Sequence, residues 1–169
     1  MATSLPIPIE FRLPKGWQAV PPDAAGAPGA AFVAIHPATN RPGFTTNITI
    51  DGEHRPDAAS LAEIADESIN RLHQAATTVS LSQRTEFGSA DAPGLTQVLR
   101  VTTLVEREHT ELIQCQVYLS MSDVDRPQER AVIRLSLTAA EDNFKAVIGD
   151  FQEFVASVRP ESPGSHSGQ

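Results

Sequence analysis

The chain has 169 residues, 40% of them hydrophobic and 20% charged, with a formal charge of −8. That is one domain's length with enough apolar residues for a real core, and the acidic balance argues against a general binder of nucleic acid or of anionic membrane surfaces, each of which needs a basic patch. Cys115 is the only cysteine, no run approaches the roughly 18 apolar residues of a spanning helix, and residues 1–10 carry no basic, apolar leader, so a cytoplasmic location without disulfides is expected.

In chain order, the first predicted strand is Ile7–Leu13. It runs into Leu13-Pro14-Lys15-Gly16-Trp17, where Pro14 pushes Leu13 toward extended geometry and Gly16 can take positive φ. The only Trp then opens a strand over Trp17–Val20 and is expected to pack against one end of the core. A Pro/Gly/Ala loop (Pro21–Gly29) leads to strands at Ala31–His36 and Phe44–Ile50, the second alternating Phe44, Thr46, Ile48 and Ile50 with polar residues. Ser60-Leu-Ala-Glu63 is a capping box, followed by Leu61, Ile64, Ala65, Ile69, Leu72 and Ala76 at helical spacing. Glu63, Asp66, Glu67, Asn70 and Arg71 are left for solvent.

Strands follow at Ser80–Phe87, Thr96–Glu106 and Ile113–Met121, the last alternating strictly between Ile113, Cys115, Val117, Leu119, Met121 and Gln114, Gln116, Tyr118, Ser120. Arg107–Glu111 reads as a hairpin loop, Ser122–Glu129 as the next connection, and Ile133–Leu137 as another strand. A second capping box, Thr138-Ala-Ala-Glu141, predicts a helix carrying Phe144, Val147, Ile148, Phe151, Phe154, Val155 and Val158 on one face, closed by Pro160. The expected domain is residues 1–160, a single α+β unit in which six to eight antiparallel strands pack with two long helices; Glu161–Gln169 is expected to be a disordered tail.

The element order, with Leu13-Pro14-Lys15-Gly16-Trp17 and the Asn47-Ile48-Thr49-Ile50 strand before a capped helix, resembles the LpqN/LpqT group of actinobacterial proteins and, more distantly, the DcrB-like and PsbP/Mog superfamily. The resemblance spans about residues 7 to 159. It implies an antiparallel sheet flanked by helices, and members that bind proteins or act as accessory subunits and chaperones without shared catalytic residues. The lack of a lipobox cysteine departs from the lipoproteins of the group. High Ala and Pro with only two lysines, Lys15 and Lys145, agrees with a high-GC, actinobacterial origin.

Chemistry-bearing motifs are sparse. His36, His54, His73, His109 and His166 form no metal-ligand spacing, and His109 between Glu108 and Glu111 reads as a solvated turn. Asp123-Val-Asp125 lacks the glycine and later acids of a calcium loop, and Gly88-Ser89 lacks a nucleophile elbow. Asn47-Ile-Thr matches a glycosylation acceptor but lies in a strand. Cys115 faces inward, as packing and not as a nucleophile. No cofactor is expected.

The strongest candidate is the wetter sheet face, Gln114, Gln116, Tyr118, Arg134 and Ser136 with Arg100 and Thr102, since Tyr and Arg are favoured in interfaces. Both helices on the drier face would leave it open to a protein partner or a second copy. The function expected is therefore a non-enzymatic protein-binding, accessory or chaperone-like module. The alternatives are a carrier of small apolar ligands with a helix-grip-like cavity, or an enzyme without a recognisable motif.

Overall fold

The structure, a computed structural model, describes residues 5–25, 27, 29–39, 44–90, 92–105, 107–123 and 126–160, with the side chains of 122–128 excluded. The predicted tail therefore lies outside the described residues. Seven strands form one antiparallel sheet: β2 (Gln18–Val20), β3 (Phe32–Ile35), β4 (Asn47–His54), β5 (Thr78–Gly88), β6 (Pro93–Val105), β7 (Glu108–Asp123) and β8 (Arg126–Ala140), in the spatial order β2-β3-β4-β8-β7-β6-β5. A separate two-stranded pair, β1 (Ile9–Glu10) with β9 (Arg159–Pro160), ties the two described ends together. The architecture is the predicted α+β one.

Two helices, α1 (Leu61–Ala75) and α2 (Phe144–Ser157), flank the sheet on opposite faces. Period-two alternation explains why both faces are covered. Cys115, Val117, Ile133, Leu135 and Leu137 line the face under α2, where Val147, Phe151 and Phe154 join Ile48, Ile50 and Trp17 in the main core. Leu5, Ile7, Ile9, Phe11 and Leu13 pack along its margin. On the other face, Leu61, Ile64 and Ala65 of α1 pack on Leu95, Tyr118 and Val132, and a third cluster joins Val79, Leu99, Val101 and Leu112.

The first helix begins as its capping box predicts: Ser60 Oγ accepts from the Glu63 amide at 3.1 Å, and the Glu63 carboxylate receives the Ser60 amide. The second box is a misreading. Thr138 lies inside β8, paired with Asn47 on one side and Gln114 on the other, and its hydroxyl accepts from Gln114 Nε2 at 2.9 Å. Glu141 turns instead to Arg100, and α2 starts at Phe144 behind Asn143, which makes no side-chain cap. Two ladder partners outweigh one local capping bond. The strands of the β6–β7 hairpin likewise run further than predicted: Val105 pairs with Glu108, and Arg107 takes a φ of 70° in the tight turn.

Candidate functional site

The sheet face that would be open with both helices on the drier side is covered by α1, because the helices take one face each. Gln116, Tyr118 and Ser136 are only 1%, 2% and 4% exposed. Gln114 and Arg134 are half-buried beside them. Arg100 does not belong to this face at all. The register sets Leu99 opposite Gln114 and Arg100 opposite Ile113, so Arg100 and Thr102 point to the α2 side, where Arg100 is exposed and pairs with Glu141 at 3.0 Å. The seven residues singled out are therefore split between two faces, five under α1 and two, Arg100 and Thr102, on the other side.

Four of the five, Gln114, Gln116, Tyr118 and Arg134, gather into a hydrogen-bonded layer. Gln97 Nε2 donates to Gln116 Oε1 at 2.7 Å, and the Tyr118 hydroxyl donates to the same oxygen at 2.9 Å. Gln116 Nε2 donates to Ser68 Oγ on α1 and to Gln114 Oε1. Gln97 also reaches the Ala65 carbonyl of the helix and receives Arg84. Arg134 binds Asp51 Oδ2 through Nε and Nη2, at 3.2 and 2.6 Å, and Ser68 Oγ at 2.9 Å. Burial pulls its pKa down, but the charge and hydrogen bonds of Asp51 outweigh this and hold it raised. Such a layer locks α1 onto the sheet, because every buried amide needs its partner.

Between α1 and strands β4, β8 and β7 a pocket of about 200 Å³ remains, lined by Thr49, Ser68, Arg71, Leu72, Gln114, Gln116, Arg134 and Ser136. The sequence reading left Arg71 to solvent and passed over Ser68 and Thr49. The missed signal is Ser68 itself: a polar residue three after Ala65 and four before Leu72, on the buried stripe of α1.

A second feature lies at the far edge. The three exposed large hydrophobics among the described residues, Leu81 (45%), Phe87 (44%) and Leu104 (58%), are all on the β5–β6 hairpin. β5 is the terminal strand of the sheet, eleven residues long, with a bulge between Leu81 and Gln83. Leu81, Arg84 and Glu86 point to the α1 side; Gln83, Thr85 and Phe87 point to the other, with the Phe87 ring lying over Gly94. Gly94 leaves that ring its place, since a Cβ there would collide with it.

Among the described residues no group of three or more His, Cys, Asp or Glu side chains is placed to hold a metal. Cys115 is buried, and burial pushes its thiol up to about 11. No helix among the described residues is long and apolar enough to cross a membrane.

No protein-family model matches the sequence, and no curated protein is detectably similar to it. Solved structures do match. LpqN of Mycobacterium tuberculosis, described as involved in cell envelope biogenesis, superposes with a TM-score of 0.64 at 11% identity, over 91% of this chain and 83% of that one. The cyanobacterial PsbP (CyanoP) of Synechocystis gives 0.57 at 19% identity, over 90% and 86%. The Ran-binding protein Mog1p of Saccharomyces cerevisiae gives 0.56 at 12% identity, over 90% and 89%. At these identities the likeness is one of fold. The fold is PsbP/Mog-like.

Proposed function

We propose that this chain, an α+β domain of PsbP/Mog-like fold, is a non-enzymatic protein-binding module that takes an extended segment of its partner along the outer edge of β5. The observation that carries this reading is the edge itself. Natural edge strands are usually short or blunted by Lys, Pro, charges or bulges, and β5 is long, with no Lys or Pro and with its bulge confined to Leu81–Gln83. The opposite edge, β2, has three residues. An added strand would satisfy the outward amides and carbonyls of β5, while Leu81 on one side and Phe87 on the other supply apolar contacts. The fitting partner segment is extended, apolar where it meets Leu81 and Phe87, and basic beside Glu86, since Arg84 is already held by Gln97 and Asp66. That Mog1p is named as a binder of Ran supports protein recognition on this fold.

The test is a panel of extended peptides of that pattern, with binding located by amide hydrogen exchange. Slowed exchange confined to 78–88, and an affinity at least about tenfold lower in a Leu81→Lys/Phe87→Lys variant of unchanged melting temperature, support the reading. Protection elsewhere, with the variant binding like the parent chain, overturns it.

A second copy of the chain is favoured by one specific feature. Arg84 and Glu86 flank Thr85 on the same face, so an antiparallel β5–β5 pair centred on Thr85 sets each Arg84 against the other copy's Glu86. Sedimentation over a concentration series tests this: Glu86→Arg weakens such a dimer, and adding Arg84→Glu restores it. A chain that stays monomeric at every concentration removes this occupant.

A further inference from the structure

The pocket beneath α1 has an imbalance that its structural role does not need. Its lining includes two guanidinium groups, Arg71 and Arg134, and no carboxylate. Arg134 is answered by Asp51 from the neighbouring cleft and also meets Ser68 and the Tyr118 hydroxyl, which leaves little of its five-donor fork over for the pocket. Arg71 makes no hydrogen bond or close ion pair among the described residues, although it also lines the neighbouring cleft with Asp51 and Glu53 and its charge helps to lower the Glu67 carboxyl. The carboxylate nearest along α1, Glu67, is taken by Arg55 through two bonds of 2.8 and 2.9 Å.

The floor tells the same story. Ser136 is 4% exposed, yet its hydroxyl makes no hydrogen bond among the described residues. Thr46 Oγ1 is the fully enclosed oxygen without a partner, so the Ser136 hydroxyl retains access to the pocket it lines. Thr49, directly across the β4–β8 ladder from Ser136, lines the same pocket and likewise makes no side-chain hydrogen bond among the described residues. A buried and a half-buried hydroxyl beside Arg71, which has no bonded partner among the described residues, form a set of donors lacking an acceptor.

We propose that this pocket binds a small oxyanion, the carboxylate or phosphate group of a small molecule. Arg71 closes from α1 as the charge partner, the Ser136 and Thr49 hydroxyls donate from the floor, and the Arg134 charge adds to the field of the cradle. Guanidinium groups suit both oxyanions, because their fork of donors matches two oxygens at once. A volume of about 200 Å³ lies below that of pockets for drug-sized ligands, which restricts the occupant to a group of a few heavy atoms. The proposal is independent of strand addition at β5.

The experiment is a titration of the full chain with inorganic phosphate and, separately, with acetate, at ionic strength fixed with chloride so that screening stays constant. The side-chain amide NMR signals of Gln114 and Gln116 report the pocket. Saturable shifts of these signals are expected, with phosphate tighter if the site prefers the tetrahedral dianion and acetate tighter if it is built for a planar carboxylate. Arg71→Gln, at an exposed position whose loss removes no packing, should lower the affinity at least about tenfold, Ser136→Ala should lower it several-fold, and Arg107→Gln in the distant β6–β7 turn should leave it unchanged. Absence of saturable shifts with either anion overturns the proposal. So do shifts that Arg71→Gln and Ser136→Ala leave intact, or that Arg107→Gln reduces equally.

Discussion

Trp17 shows how much one side chain can join. The turn before it closes with the Trp17 amide donating to the Pro14 carbonyl at 3.3 Å, and Gly16 supplies the φ of 94° that this turn requires. The indole is then buried beside the His36 ring, and Nε1 donates to Asp150 Oδ2 of α2 at 2.9 Å. Trp17→Ala should cost about 3–5 kcal/mol in urea unfolding. Trp17→Phe, which keeps most of the packing, should still cost about 1.5–3 kcal/mol through the lost charge-assisted bond. Thr46 is the converse case, a fully buried hydroxyl with no partner among the described residues. Thr46→Val keeps the shape and removes the stranded oxygen, so the melting temperature should rise, by a stability gain of about 1 kcal/mol; a lower one would mean that the hydroxyl is satisfied in solution.

At the scale of elements, the two Ser/Thr-x-x-Glu patterns look alike in sequence and behave differently. Ser60→Ala should destabilise by about 1 kcal/mol, because the Glu63 amide loses its acceptor. Thr138→Ala should show no loss of helix content, since Thr138 is a ladder residue of β8. The interlock of α1 with the sheet makes a sharper prediction. Gln116→Leu should cost about 2–3 kcal/mol, leaving Gln97 Nε2 and the Tyr118 hydroxyl short of an acceptor. Adding Gln97→Leu should cost less than the sum of the two single changes, as residues of one network do not act independently. Strict additivity in chemical unfolding would show that the layer is not a network.

Over the whole molecule, Arg55 is the clasp between the end of β4 and α1. Its guanidinium bonds Glu67 at 2.8 and 2.9 Å, Asp57 at 2.9 and 3.0 Å and Glu53 at 2.8 Å. Arg130 adds a bond from Nε to the Arg55 carbonyl at 3.0 Å. The hydrogen bonds from Arg55 hold the carboxyl groups of Glu67 and Asp57 below the usual carboxylate range. Their folded values being lowered, the stability they contribute is present above the unfolded values of roughly 4 and is lost as pH falls through the folded ones. The difference in urea midpoint between the parent chain and Arg55→Met should therefore be clear near neutrality and shrink below about pH 4. An equal gap at both ends of that range would show that Arg55 acts through packing alone.

By itself the sequence determined the class of fold, the strand alternation, the start of α1 at Ser60, the burial of Trp17 and the apolar face of α2, since each follows from local periodicity or a single turn. Only the tertiary structure decided which side each helix takes. That choice set the fate of the predicted face, because alternation tells which residues share a side but not what lies above them. It buried Gln116 and Tyr118 under α1, moved Arg100 to the opposite side through the β6–β7 register, and drew Thr138 out of its capping box into β8. It also left β5 at the edge, a position set by strand order, which depends on contacts remote in sequence.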